Sequence, residues 1–411
     1  MSHSIVPIPI TIQGRYFWRG IERFLINGVA YHFHETNSVS CSDALVDDRI
    51  HELERILPLL KDLKINTLFI SHIDETKSHS ACMNLLARHG IYVLASIESI
   101  CYPLSNQGAL RPYTSNFMQR LFQVVEKLAH YPNLLGFAIS TDLITSETEE
   151  ATEPFVRAVV RDVRQYLTLL AAKRHQRVVP VGVISPADTR SSVKKQHSYF
   201  CSGADNESIE FFIFYNFFWA GEFTMQASGY SELVHMFSST HIPVSFVYGN
   251  NSITPRAFWE TYATYSDPGM LRVFSGGIVH EFFDAINHYG LVRRSTLLED
   301  NTPRYRKTKD FRNLCDKLKK SFQSLPTSML VRSRPVEAAA MSGTKPNPPH
   351  PGWNQRPVGS VPRSRVNWAE IETQITDDSE WVDAGKEWVD LTVEDLADSM
   401  WDKLNIDGIG P

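Results

Sequence analysis

The clearest chemical position in this 411-residue chain is Asp142. It follows the apolar run Leu134–Ile139 and the polar pair Ser140 and Thr141. A run of that kind reads as a buried parallel strand, and in a (β/α) barrel such a strand points its C-terminal end at the active site. Asp142 therefore stands where a barrel enzyme places an acid or a base. Glu281, within Ser275–Phe283, is the best second carboxylate on the same face. Whether the two form an acid/base pair depends on a separation that sequence does not contain. His32-Phe33-His34 is a third feature: alternation puts both imidazoles on one side of a strand, as metal ligands require. The fifth and sixth strands end without a histidine, so no metal and no cofactor is expected. The aromatic group Phe211, Phe212, Phe214, Tyr215, Phe217, Phe218 and Trp219 could stack on sugar, but alternation in a barrel strand sends half of it inward, which favours a buried strand.

Eight strands have to position these groups. They are read at Phe24–Phe33, Asn66–Ile73, Ile91–Ile97, from Leu134, Val178–Ile184, Ile209–Phe217, Ile242–Tyr248 and Ser275–Phe283. Helical patterns alternate with them at Asp47–Leu63, Ser78–His89, Thr114–His130, Glu153–Lys173 and Thr308–Phe322. Ser78 suits an N-cap and Pro154 a first helical turn. A small hairpin is expected from Ile10 to Trp18. Eight strands alternating with helices over about 300 residues predict a (β/α)8 TIM barrel, of class α/β. A doubly wound sheet would need a phosphate-binding GxGxxG, which the chain lacks.

A hydrophobic content of 43% suits a sizeable core, and a formal charge of −5 gives no reason to expect nucleic acid as a partner. Five scattered cysteines make neither a disulfide framework nor a zinc motif. Ile5–Ile12 is short and broken by Pro7 and Pro9, unlike a secretory leader, and nowhere do about 18 apolar residues run together to span a bilayer. With no terminal anchor signal either, the chain reads as cytoplasmic. The barrel should occupy residues 1–323. Residues 324–365 hold eight prolines and six Lys/Arg against one Glu, a disordered linker by composition. Residues 366–411 hold thirteen Asp/Glu against two Lys, with Glu-Trp-Val-Asp at Glu380 and again at Glu387. From Asp390 to Leu404 the apolar residues form a rough helical stripe. Such a tail docks on its own barrel, recruits a partner protein, or stays unfolded.

Gly28–Tyr31 (GVAY), His79–Met83 (HSACM), Ile91–Val93 (IYV), Arg161–Leu167 (RDVRQYL), Pro180–Gly182 (PVG), Ser228–Tyr230 (SGY), Thr254–Arg256 (TPR), Ser275–Val279 (SGGIV) and Tyr289–Val292 (YGLV) form a further set of short motifs. Together they are similar to the fungal β-1,3-glucanosyltransferases, the glycolipid-anchored surface proteins of glycoside hydrolase family 72. Their order and rough spacing cover about residues 10–320. The resemblance implies a barrel that cuts β-1,3-glucan internally and rejoins it to another chain, by a retaining mechanism with two glutamates. That chemistry needs carboxylates about 5–5.5 Å apart, one of them with a raised pKa.

The chain departs from that pattern at the site. The acid/base glutamate corresponds to Asp142, one methylene shorter, and misplacement by about 1 Å can cost on the order of 10²-fold. The nucleophile glutamate corresponds to Val247, just before Tyr248 and Gly249, and valine cannot form a glycosyl ester. Sugar-binding positions of the family correspond to Phe69, Ser71, Ser96, Phe217 and Phe218, while Trp219 and Tyr289 remain. A glutamine corresponds to His32 and an eighth-strand tyrosine to His280. Some members carry a glutamate at Glu281, which implies a residue lining the site. The resemblance therefore implies a degenerate relative that binds β-1,3-glucan or acts as a scaffold. The alternatives are a weakly active or altered glycosidase using Asp142 with Glu281, and an interaction protein acting through the tail. Cys82 resembles a family disulfide cysteine, and Cys101 is a candidate partner; in a reducing compartment both would stay thiols. The sequons at Asn206 and Asn250 matter only in the secretory pathway.

Overall fold

A computed structural model describes residues 7–34, 41–97, 113–141, 149–186, 189–221, 223–296, 303–325, 330 and 361–375. Eight parallel strands close into a barrel: β1 (Ile26–Ala30), β2 (Thr67–Ile70), β3 (Tyr92–Ile97), β4 (Leu134–Ser140), β5 (Val181–Ser185), β6 (Phe212–Tyr215), β7 (Val244–Tyr248) and β8 (Gly276–Val279). Neighbours in sequence are neighbours in the sheet, and β8 closes on β1 with Gly276 opposite Ile26 and Val279 opposite Val29. Every residue of β1, β2, β3, β4, β5, β7 and β8 is buried, which is why these segments read as unbroken apolar runs.

Alternation divides that apolar content between two cores. Ile26, Ala30, Phe69, Tyr92, Leu94, Ile184, Phe211, Ile213, Val247 and Ile278 fill the barrel interior. The intervening residues Val29, Leu68, Val93, Val183, Phe212, Phe214, Phe246 and Val279 belong to the larger core under the helices. Of the aromatic run around β6, Phe211, Phe212 and Phe214 are thus buried and split between both cores, while Tyr215, Phe217 and Phe218 are only partly buried. Two glycines are required by the packing. A Cβ on Gly182 would lie 2.3 Å from the Phe211 carbonyl oxygen and 2.5 Å from its ring. At the closing seam, Gly276 has φ of +86° and leaves no room beside the Ile26 backbone.

The outer layer includes α1 (Ile50–Asp62), α2 (Ser80–Arg88), α3 (Ser115–Ala129), α4 (Glu149–Arg174), α5 (Arg190–Phe200), α6 (Tyr230–Met236), α7 (Trp259–Ser266), α8 (Pro268–Val273) and α9 (Lys309–Gln323). None of the described helices is long and apolar enough to cross a membrane. Helix α2 begins two residues later than its sequence suggests, and Ser78 is not its cap. Asp47 reaches across from the preceding segment, accepting from the amides of Ala81 (2.8 Å) and Cys82 (3.2 Å) and from the hydroxyl of Ser78 (2.5 Å). Burial would raise its pKa, but these hydrogen bonds, led by that from Ser78, outweigh it and hold the carboxyl below the usual range. Helix α4 begins at Glu149, so Pro154 lies inside it rather than in its first turn.

The expected first strand, Phe24–Phe33, is divided among three elements. Glu22–Phe24 completes a three-stranded antiparallel sheet with Ile10–Gln13 and Tyr16–Arg19, where a two-stranded hairpin was expected. Residues 26–30 form β1, and Phe33–His34 pairs with Cys41–Ser42. The three-stranded sheet closes the N-terminal end of the barrel. Phe24 packs on Tyr92 with ring centroids 5.1 Å apart, Phe17 packs on Phe211 at 5.8 Å, and the Tyr92 hydroxyl donates to Ile8 O.

The boundary expected at residue 365 does not mark a structural break. Residues 361–375 pack as one segment on α3 and α4, ending in helix α10 (Trp368–Gln374). Arg161 donates to Pro362 O, Ser364 to Asp162, and Ser115 to Arg365 O. The Trp368 ring lies 5.8 Å from that of Phe122, and Ile375 is buried. The first part of the acidic segment is therefore seated on its own barrel. The Glu-Trp-Val-Asp repeat and the stripe beyond it lie outside the described residues.

Candidate functional site

The C-terminal ends of the strands carry the polar side chains. Ile26 and Ala30 of β1 face the interior, so two residues further His32 follows the same parity. Ile278 of β8 does the same for His280. Glu281, 1% exposed, stands between the two histidines. Its Oε2 lies 3.1 Å from His32 Nδ1, its Oε1 accepts from Asn287 Nδ2 at 2.9 Å, and His280 Nε2 is 3.9 Å from Oε1. The ring of Tyr289 packs edge-on against His280 at 4.9 Å and lies 5.8 Å from Phe217. His32 also meets Phe69 edge-on, at 6.0 Å. His32, His280, Glu281 and Tyr289 are thus brought together in one cluster.

Arg256 holds the backbone of this mouth. Its Nη1 donates to His280 O (2.6 Å) and Gly249 O (3.1 Å), and its Nη2 to Tyr289 O (2.6 Å). Its Nε and backbone N–H both donate to Asp310, at 2.6 and 3.0 Å. One buried guanidinium therefore ties the ends of β7 and β8 to the start of α9. A planar group with five donors suits such a junction. In the sequence Arg256 stands out only as part of the TPR motif, and nothing marks Asn287.

Val247, at the end of β7, is fully buried. It sits opposite Tyr215 on one side and Ile278 on the other, in the apolar interior. Asn250, three residues on, donates from Nδ2 to Phe217 O at 2.5 Å and so joins the ends of β7 and β6. Trp219 is placed apart from the cluster: it is 4% exposed, edge-on to Tyr230 at 4.8 Å, in the core beneath the helices. Asp142 lies outside the described residues, as does Cys101. The preceding Thr141 is buried, with its hydroxyl directed to Ile184 O and Gln196. Cys82 is a buried free thiol, raised to about 12 by burial, and behaves as a small apolar group.

Behind the same two strands lies a second buried acid. Glu260 on α7 is 4% exposed, and burial raises it to about 7, only partly offset by its own backbone N–H and by Arg256 and Lys317. Tyr248, which accepts from Thr261 Oγ1 at 3.1 Å, is held well above its ordinary value by burial. Both groups face the outer core and not the mouth.

A family model described as Glucanosyltransferase, of glycoside hydrolase family 72, matches residues 2–322. The chain is 32% identical over 288 residues to 1,3-beta-glucanosyltransferase gel1 of Aspergillus fumigatus, covering 70% of this chain and 61% of that protein. It is 34% identical over 297 residues to 1,3-beta-glucanosyltransferase GAS5 of Saccharomyces cerevisiae, covering 71% and 59%. Among solved structures it is similar to a mutant of Saccharomyces cerevisiae Gas2p in complex with laminaritetraose and laminaripentaose. There the TM-score is 0.67 and the identity 31%, covering 77% of this chain and 68% of the other. The chain thus spans about three fifths of the length of these curated relatives.

Proposed function

Because the chain belongs to the glucanosyltransferase family of glycoside hydrolases, we propose that it is a member that binds β-1,3-glucan and does not carry out the transfer. One observation carries this reading. Val247, at the position that corresponds to the nucleophile, is an aliphatic side chain enclosed by the barrel interior. The retaining reaction begins with attack of a carboxylate on the anomeric carbon, and a hydrocarbon offers no electron pair for it. Glu281 is the nearby buried carboxylate, but each of its oxygens already has a partner, one in His32 and one in Asn287. That arrangement suits a group that orders the mouth. The solved Gas2p complexes with laminari-oligosaccharides support glucan as the ligand class, and Tyr289 and Phe217 supply aromatic faces at the mouth.

The test is incubation of the purified full chain with laminari-oligosaccharides, with chain lengths read by mass spectrometry alongside calorimetric binding. Binding without longer or shorter products is the expected result. Transfer products that disappear in Asp142→Ala would instead establish a working acid/base. Absence of both binding and transfer would leave an interaction protein acting through the acidic tail, residues 366–411, as the better reading.

A further inference from the structure

We propose that His32, His280 and Glu281 form a binding site for a single divalent transition-metal ion of the zinc type. The three residues come from the first and last strands of the barrel and meet because β8 closes on β1. One ligand atom from each, two imidazole nitrogens and a carboxylate oxygen, all lie within 4.8 Å of one another. Zinc bonds such donors at about 2.0–2.2 Å, so tetrahedral ligands stand roughly 3–3.5 Å apart. The 3.1 Å between His32 Nδ1 and Glu281 Oε2 already has that value. His280 Nε2 stands 3.9 Å from the other oxygen of the same carboxylate, Oε1.

Two imidazoles and one carboxylate are a donor set that zinc accepts, and three protein ligands leave it one further position for water or another oxygen donor. The support around the set is also that of a metal site. Asn287 fixes one carboxylate oxygen, and partners of this kind set ligand orientation. His280 is fixed at its backbone on both sides: its N–H donates to Tyr248 O at 2.8 Å, and its carbonyl accepts from Arg256 at 2.6 Å. Glu281 is buried, where an ionised carboxylate is stable only beside a cation or hydrogen-bond donors. Coordination requires both imidazole donor atoms in the unprotonated form, so uptake releases whatever protons they carry. The inference stands independently of glucan binding, since it uses no sugar contact.

The experiment uses tag-free full-length protein, stripped with chelator and titrated with Zn²⁺ by calorimetry, with Co²⁺ as a spectroscopic substitute. One equivalent of Zn²⁺ is expected, with Co²⁺ bands typical of nitrogen and oxygen donors and no thiolate charge-transfer band. His280→Asn and His32→Asn should each weaken uptake at least about tenfold, and Asn287→Ala by about 10-fold. Cys315→Ser should leave it unchanged. The His280 side chain is partly exposed, so His280→Asn should melt close to wild type without metal and keeps the test valid even if His32→Asn does not fold. Failure to take up zinc, uptake that His280→Asn changes by less than about tenfold, or a thiolate band in the Co²⁺ spectrum would overturn the site.

Discussion

The adjacent strands β7 and β8 end differently at the same mouth. Near the end of β7, Val247 adds its methyl groups to the barrel interior. β8 runs on into His280 and Glu281, which join His32 and Asn287 in a hydrogen-bonded cluster. The backbones of both ends are nonetheless held by one side chain, Arg256. The difference shows that the scaffold does not depend on what the strand ends display. Alternation dictates only that Val247 points inward, and the interior accepts a hydrocarbon there as readily as β8 accepts a buried acid with partners.

The comparison is most directly broken at its shared support. Arg256→Met should cost about 3–5 kcal/mol, because it strands the buried Asp310 carboxylate together with three carbonyls. Urea denaturation at neutral pH measures this, and a loss under about 1 kcal/mol would show that the two strand ends are held independently.

Next comes Glu260, the acid behind the seam. Its folded pKa is raised from 4.5 to about 7, which corresponds to about 3 kcal/mol. The sign follows from the raised value. The neutral acid is at ease in the fold below pH about 4.5, and that advantage is lost as the pH rises through about 7. Glu260→Gln should therefore match wild type near pH 4 and be more stable at pH 8 by up to about 3 kcal/mol. Parallel stability curves across that range would count against a buried carboxyl titrating near neutrality.

Val247→Ala sharpens the apolar side of the comparison. Removing two buried methyl groups should cost about 2 kcal/mol. A near-zero cost would mean that the β7 end is not packed as the interior is. The smallest effect is expected far from both strands, at Asp47. Asp47→Asn should cost about 1 kcal/mol, as for loss of a helix cap. The depressed pKa of Asp47 gives stability above the ordinary value near 3.8 that is lost as the pH falls through the depressed one. The variant should therefore lose the acid-side slope that this group contributes to the wild-type melting curve.

The barrel was legible in the sequence because its strands are buried on both faces, so Leu134–Ile139 and its counterparts stand out as apolar runs. What pairs across the closure was not legible. His32 and Glu281 are 249 positions apart, and nothing in either neighbourhood indicates the other. Short amphipathic signals also failed: α5, RSSVKKQHSYF, is mostly polar, and the hairpin Val292–Thr296 with Pro303–Lys307 carries charge where alternation was sought. The cap of α2 was missed because Asp47 acts from 33 residues before the helix. Composition also says little about how residues 361–365 sit, since Pro362 and Arg365 are held through backbone carbonyls, which any residue type provides.

The ion pair between Arg256 and Asp310 also bears on the order in which the molecule is made. A growing chain folds from its N-terminus as it emerges, and β1 to β7 are all synthesised before residue 250. The mouth cannot acquire its final shape until Asp310 has followed, some sixty residues later, to receive the guanidinium. A nascent or prematurely stopped chain ending in the 280s would already contain His32, His280 and Glu281, yet lack the residue that anchors their support. Assembly of the site thus waits on extension of the chain into helix α9.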